Sequence, residues 1–478
     1  MSADRPTIAI VGGGFSGAAV AYHLAQAGAP ANLVVFEPRA RLGAGLAYGG
    51  DDPSHRINVP ATRMSLLPDD RTHFARWLET SGTLAHDPGA RSGADAFARR
   101  QDFGRYMDEA LRPLASGARV RHVRAAVVSV RRSAGAWAVR DAVGDGIDAD
   151  LVIVATTHPS PTVPAELDSL RGDPRLIPDA LAGGALSRLT GEERVLLVGS
   201  GLTAADVVAT LDACGHRGQV VMVSRRGLRS LGHAPRPFAA EGDFVSDPVR
   251  TASALVRNVR RAVQQAEAEG RTWHSVLDAV RTQGPSIWRT LTPEARKRVA
   301  RRLRPYWDVH RFRAAPQIDT TLARKLEDRS LELRRARLGT AAAGPEGLTV
   351  ELFDSRRGSA TCETFDAIIV ATGPSHREIL QAQPYLRALA EQGHVALDEI
   401  GLGLEVSRKG RAVGASGRAE PTLLVAGPLA RGTFGELMGL PEVSDYARFI
   451  AEQAFEELSL SLPRAGRRSV VSVGQDGP

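Results

Sequence analysis

Two glycine clusters and the residues that follow them hold the chemistry most directly readable in this chain. The first is Gly12-Gly13-Gly14-Phe15-Ser16-Gly17, a GxGxxG pattern. In such a turn Gly12 allows the tight reversal, Gly14 lets the backbone approach a pyrophosphate, and Gly17 lets a helix pack closely on a strand. Phe15 and Ser16 open that helix, where unpaired amide N–H groups and the helix dipole favour a phosphate. Glu37 stands 20 residues after Gly17, at the end of the next apolar run. Its carboxylate can accept a hydrogen bond from a ribose 2′-hydroxyl and would repel a 2′-phosphate. This first site therefore suits FAD or NAD rather than NADP.

The second cluster is Gly199-Ser200-Gly201-Leu202-Thr203-Ala204, a GxGxxA pattern with Ala204 in the helix-packing position. At the end of its following strand stand Ser224, Arg225 and Arg226, with no acid in the place corresponding to Glu37. A guanidinium there can bind a 2′-phosphate bidentately and stack on adenine, so NADPH is favoured over NADH. Ser200 and Thr203 read as phosphate contacts. Two dinucleotide sites in one chain divide the labour: one holds a flavin, the other brings a hydride donor to it.

Each motif needs a strand–helix–strand unit around it. Thr7–Val11, Phe15–Ala27 and Asn32–Phe36 supply the first; Val195–Val198 and Val220–Val223 flank the second. Between and beyond them the pattern predicts helices over His73–Thr80 and Ala94–Leu114. Strands are expected over Arg119–Val130, Trp137–Arg140, Leu151–Ala155, Leu331–Ala336, Leu348–Phe353, Ala367–Ala371 and Leu423–Ala426. Ala252–Arg302 is helical in pattern with a break at Gly284–Pro285, and a last helix runs from Phe434 to about Glu456. An apolar strand ending in Ala-Thr occurs twice, at 151–156 and 367–372, so the architecture is duplicated.

The composition is that of an ordinary globular protein, 43% hydrophobic and 24% charged, and its two cysteines make no CxxC pair. That argues against a disulfide scaffold and against flavin–dithiol reductases, and fits a reducing cytoplasm. No apolar run reaches the length of a membrane span, and the polar start leading straight into a strand shows no signal peptide. The histidines show no metal-binding spacing. From Asp247 to Arg337, 21 Lys or Arg face 10 Asp or Glu. This excess reads as a solvated helical face or as a surface for an anionic partner; no nucleic-acid motif accompanies it.

Several longer segments resemble the large superfamily of flavoproteins with two dinucleotide-binding folds, and within it the YdhS-like FAD/NAD(P)-binding proteins. They are residues 8–24, 45–70 (containing His55-Arg56-Ile57-Asn58-Val59-Pro60), 307–316, 366–374 and 427–436. The resemblance implies an α/β fold in which an NADPH-binding Rossmann-like domain is inserted into a discontinuous FAD domain. The FAD domain would span 1–160 and 365–478, ending in a polar tail; the NADPH domain would span 161–364 and carry a helical subdomain near 245–330. It also implies that Asn58 and Pro60 lie near the flavin ring, and that the segment from Gly427 through Thr433 covers it. Where the family commonly shows Arg-His-Arg, this chain has Arg311-Phe312-Arg313, and Phe312 cannot carry a proton.

Distant relatives include flavin-containing monooxygenases and N-hydroxylases. The expected activity is accordingly NADPH-dependent reduction of FAD followed by oxygenation of a small molecule. Two alternatives stay open: a flavin reductase or dehydrogenase without oxygenation, and an FAD-binding redox sensor without turnover.

Overall fold

The computed structural model describes residues 5–461 apart from 160, 355 and 374–377, with Ser461 described only as helix backbone. Pro374 and the expected tail beyond 461 lie outside the described residues.

The apolar run Thr7–Val11 is the centre of a six-stranded sheet. Its parallel neighbours are Asn32–Phe36 on one side and Leu151–Val154 on the other. Val120–Val123 extends one edge and Ala419–Val425 the other, both parallel, and Arg411–Val413 closes the sheet antiparallel. Strands buried on both faces read as continuous hydrophobic runs. TIAIV, NLVVF and LVIV do so, and their residues are almost wholly buried. The helix Phe15–Gln26 packs on one face together with the long C-terminal helix Leu440–Ser461.

The second sheet repeats the plan. Val195–Val198 pairs in parallel with Val220–Ser224 and Ala367–Val370; Leu331–Arg335 and Leu176–Ile177 form the edges. The helix Leu202–Ala213 follows its central strand as Phe15–Gln26 follows the first. Each sheet also carries a three-stranded antiparallel meander just before the strand that ends in Ala-Thr. Val127–Ala149 precedes Leu151–Val154, and Arg337–Phe365 precedes Ala367–Val370. The duplication expected from the sequence thus extends over the whole βαβ–meander–β unit.

Several expectations are corrected. Ala367–Val370 belongs to the second sheet, so the boundary at 364/365 falls one strand early. An apolar AIIV run looks the same in either sheet; its partners decide. Arg119–Val130 is two strands in two sheets, Val120–Val123 and Val127–Ser133, separated by a turn closed by the Ala125 N–H on the Val123 carbonyl. The helix expected from Ala94 begins at Arg100, because Asp95–Ala96 pairs with Arg91–Ser92 in a small hairpin.

The helical region also differs from its pattern. The expected break at Gly284–Pro285 is there, between the helices Trp273–Thr282 and Gly284–Thr290, with Pro285 in the first turn of the second; a further break falls at 269–272, where Gly270 adopts φ +75°. Helices over 252–311 form their own apolar cluster around Val276, Ala279, Ile287 and Leu291. Pro316–Glu327, by contrast, packs on Leu202–Ala213, so the separate helical unit ends near 311 rather than 330. The last helix begins at Leu440, because Gly435 (φ +81°) ends the short turn Arg431–Phe434. Among the described residues no helix is long and apolar enough to cross a membrane.

Candidate cofactor-binding site

The first turn is built by close backbone approach. The Gly12 N–H donates to the Phe36 carbonyl (3.0 Å), and the Ala155 N–H donates to the Val11 carbonyl (2.8 Å). This ties the turn to both neighbouring strands. Gly12 has φ +103°, and a Cβ there would lie 2.9 Å from the Ala155 carbonyl. A Cβ on Gly17 would come within 1.9 Å of the Gly12 carbonyl oxygen. Gly14 is different. Its φ of −64° is open to any residue, and a Cβ would meet only the Gly45 Cα at an ordinary 3.6 Å. The protein itself does not require glycine at 14, and a ligand pressed against that backbone would.

The second turn has the same construction. The Gly199 N–H donates to the Val223 carbonyl (2.9 Å) and the Ala371 N–H to the Val198 carbonyl (2.8 Å). Gly199 has φ +118°, with the Ala371 carbonyl oxygen 2.2 Å from a would-be Cβ, while a Cβ on Gly201 would meet nothing within 4 Å. Ala204 is fully buried in the packing position. Both helices are capped by a glycine with no side-chain hydrogen bond to the first-turn amides. Those N–H groups lack the usual Ser, Thr, Asp or Asn partner, which fits a phosphate as the cap.

Glu37 is buried beside the first turn. Its Oε2 accepts from the Gly13 N–H (3.1 Å), and its Oε1 accepts from the Arg39 backbone N–H and guanidinium, both at 3.0 Å. The carboxylate is thus held at the strand end where a ribose hydroxyl would be met. In the second site Arg225 and Arg226 are exposed at the strand end. Arg226 lies over the Tyr306 ring (5.0 Å) and donates to its hydroxyl (3.1 Å). The Ser200 hydroxyl donates to the Leu228 carbonyl, so this serine braces its own loop. Leu202 and Thr203 are half-buried at the helix start.

Two distant segments meet at the first helix. Gly427 (φ +76°) packs on Ser16, with a would-be Cβ 2.4 Å from the serine Oγ. The turn Gly427–Phe434 therefore lies against the N-terminal end of the helix Phe15–Gln26. Phe15 itself is a core residue, its ring 5.9 Å from that of Phe103, which leaves only its backbone for a cofactor. The Thr433 hydroxyl donates to the Val406 carbonyl (3.0 Å) and serves the turn.

Asn58 and Pro60 are half-buried in the loop 52–60. The Asn58 carbonyl accepts a hydrogen bond from His233 Nε2 (3.0 Å), and the His233 ring meets Phe97 edge-on at 4.9 Å. Burial holds His233 near 4, so it stays neutral and donates from Nε2. Arg100 pairs with the buried Asp206 (2.7 Å). Thr210 donates to Asp52 (2.6 Å) and bonds the His55 ring at 3.1 Å. The helix Leu202–Ala213 is thus fixed to the loop 52–60 and to the helix Arg100–Ser116. His158, at the end of the strand Leu151–Val154, donates to the Leu402 carbonyl (2.9 Å); burial lowers it to about 4.

The composition of the helical region gave no sign of a further set of residues. The turn after Gly427 is clamped by that region. Trp288 Nε1 donates to the Gly432 carbonyl (2.8 Å), Trp307 Nε1 to Glu436 (3.3 Å), and Arg311 pairs with Glu436 (2.9 Å). Arg281 pairs with Glu442 at 2.7 Å, and Arg313 with Asp278 at 2.9 Å. The Arg311-Phe312-Arg313 segment is therefore a strut, with the Arg311 guanidinium over the Phe312 ring at 5.2 Å. The indole N–H groups of Trp288 and Trp307 thus reach from the helical region across to the turn.

Residues 9–159 match the family model described as FAD-NAD(P)-binding, and residues 90–278 the model described as L-lysine 6-monooxygenase/L-ornithine 5-monooxygenase. No match was found among curated protein sequences. Among solved structures, the reduced form of an ornithine hydroxylase from Pseudomonas aeruginosa is similar over 95% of this chain and 99% of its own, at 16% identity and TM-score 0.66. L-lysine 6-monooxygenase from Pseudomonas syringae gives 20% identity and TM-score 0.64 over the same shares. A thioredoxin reductase from Lactococcus lactis is more distant, at 10% identity and TM-score 0.51 over 95% and 100%. In fold, then, this chain is similar over nearly its whole length to flavin-dependent hydroxylases, and it matches the FAD-NAD(P)-binding model at 9–159 and the lysine/ornithine monooxygenase model at 90–278.

Proposed function

We propose that the protein is an FAD-dependent monooxygenase that uses NADPH and acts on a small molecule, with an aliphatic amine as the favoured substrate class. The observation that carries this reading is the presence, in one chain, of two glycine turns of matching construction and opposite charge. One has a buried acid, Glu37, at its strand end; the other has Arg225 and Arg226. FAD in the first site would accept hydride from NADPH in the second and supply electrons to oxygen for the attack on substrate.

In this reading Gly12, Gly14 and Gly17 shape the first cradle, the amides of Phe15 and Ser16 hold the pyrophosphate, and Glu37 takes the ribose. Asn58 and Pro60 border the flavin ring on one side and the turn from Gly427 through Thr433 on the other. Gly199, Gly201, Leu202, Thr203 and Ala204 form the second cradle, and Arg225 with Arg226 reads the 2′-phosphate. The FAD-binding unit is then 1–160 plus the chain after Ala371, and the NADPH-binding unit lies between, in an enzyme of the cytoplasm.

The amine class is supported by the monooxygenase domain match and by the kinds of enzyme the chain is similar to. They include an ornithine N-hydroxylase from Kutzneria solved with reduced FAD, NADP+ and L-ornithine, and a cadaverine monooxygenase from Erwinia amylovora. A dithiol reductase is disfavoured by the lack of a CxxC pair.

The test is anaerobic mixing of the flavin-loaded protein with NADPH, then with NADH, followed by admission of air. Bleaching by NADPH, and oxygen uptake coupled to consumption of an added diamine or basic amino acid, is the expected outcome. Bleaching with release of all the oxygen as peroxide, whatever amine is added, would favour a reductase. No bleaching by either nucleotide would leave a flavin-binding sensor.

A further inference from the structure

The basic excess between Asp247 and Arg337 has a definite shape. On the helix Ala252–Ala268, residues Ala252, Leu255, Val259, Ala262, Val263 and Ala266 face the apolar cluster of the helical region. That leaves Arg257, Arg260 and Arg261 on the outward face, where all three are exposed. The next layer is the helix Pro293–Arg298, which runs on into a π-helical turn, Val299–Leu303. Arg298 and Arg302, also exposed, stand on it one turn apart. π turns recur at functional sites.

These two elements bound an open groove of about 620 Å³, lined by the five arginines together with Ala252, Val256 and Leu303. Many other arginines of the region, including Arg271, Arg281, Arg304, Arg311, Arg313 and Arg324, are paired with carboxylates. Among the described residues, none of the five in the groove has a carboxylate within ion-pair distance. An unopposed cluster of like charge destabilises the fold that holds it, and it becomes favourable once an anion is brought to it.

We propose that this groove receives an acidic amphipathic helix of a partner protein. Arg257 and Arg261 recur at i and i+4 along one wall, and Arg298 and Arg302 do so along the other. That is the spacing at which carboxylates line the two flanks of a helix, with an apolar stripe between them for Ala252, Val256 and Leu303. A bilayer surface cannot enter a concave groove to reach Val256. A single-stranded nucleic acid would want stacking surfaces, and no aromatic side chain lines the groove. The open shape also differs from the enclosed cavities that bury small ligands.

The experiment uses the full-length, flavin-loaded protein and a fluorescent synthetic peptide with glutamates at i, i+4 and i+7 flanking a leucine stripe. Controls are a shuffled peptide of the same composition, phosphatidylglycerol vesicles and a single-stranded oligonucleotide. The matched peptide is expected to bind saturably, with an affinity that falls as salt rises. The shuffled peptide and the R257E/R261E/R302E variant should each weaken binding at least about tenfold, or 1.4 kcal/mol. Flavin content and NADPH-driven bleaching of the variant should stay unchanged. If charge reversal impairs folding, the milder R257Q/R302Q pair should still weaken binding severalfold. No saturable binding of the matched peptide, equal binding of the shuffled one, unaltered binding by the variants, or tighter binding of vesicles or oligonucleotide would each overturn the proposal.

Discussion

Gly427 and Ser16, near opposite ends of the chain, are in direct contact: a Cβ on Gly427 would lie 2.4 Å from the serine Oγ and 2.9 Å from its Cβ. The contact holds the C-terminal turn against the helix that would carry the flavin pyrophosphate. Gly427 also has φ +76°, which costs an L-residue about 1–2 kcal/mol before any clash. G427A should therefore lower stability by about 2–3 kcal/mol and release much of the flavin. Adding S16G should restore part of both, because the clash is relieved and the φ strain is not. Flavin absorbance after gel filtration and urea unfolding would measure this; no restoration in the double variant would refute the contact as the cause.

The two turns make a paired prediction. G12A and G199A each force a Cβ into a neighbouring backbone and should fold poorly. G14A and G201A meet no such obstacle in the protein. G14A should fold with near-normal stability and lose FAD affinity at least about tenfold, or 1.4 kcal/mol. G201A should keep its flavin and raise the KM for NADPH by a similar factor. Loss of folding in G14A or G201A, seen by circular dichroism, would contradict the assignment of open space at these positions.

Arg225 and Arg226 should split by role. R225A should reduce kcat/KM for NADPH by about 10- to 100-fold, in line with 1.5–3 kcal/mol for a charge-assisted hydrogen bond, with little change for NADH. R226A should do the same and also loosen the helical region, because Arg226 is stacked on Tyr306. Stopped-flow reduction rates with both nucleotides would show it. Equal losses with NADPH and NADH would mean that neither guanidinium reads the 2′-phosphate.

The buried pair Arg311–Glu436 should matter to structure more than its charge suggests. R311A removes the ion-pair partner of the largely buried Glu436 carboxylate, a change worth up to about 3–5 kcal/mol where a buried pair is broken. The expected phenotype is a folded first sheet, a loosened helical region and weaker flavin retention. Hydrogen exchange localised to 273–311 would report it; uniform exchange would argue against a clamp.

The neutral His233 sets an acid limit. Burial lowers it from 6.5 to about 4, so the folded state binds fewer protons than the unfolded chain. Its stabilising share is whole above pH 6.5 and is lost as the pH falls through that value toward 4, by at most about 3 kcal/mol. His158 is lowered in the same direction and adds to the loss. H233Q keeps an N–H donor for the Asn58 carbonyl and cannot charge. Its unfolding free energy should fall less between pH 7 and 4.5 than that of the parent, and parallel curves would rule His233 out.

The sequence by itself determined the local units. Apolar runs of four or five residues between turn signals could only be buried strands, and glycines at fixed offsets marked where backbone must approach backbone or phosphate. Glu37 against Arg225 and Arg226 gave the two sites their different charges. Local pattern could not say which sheet takes an apolar run: Ala367–Val370 and Leu151–Val154 read alike, and hydrogen bonding to distant strands separates them. Nor could it reveal Ser16 against Gly427, His233 against Asn58, or Trp288 and Arg311 holding the turn from the helical region. Those contacts join residues far apart in the chain, and their energy comes from packing and desolvation that exist only once both sheets have formed.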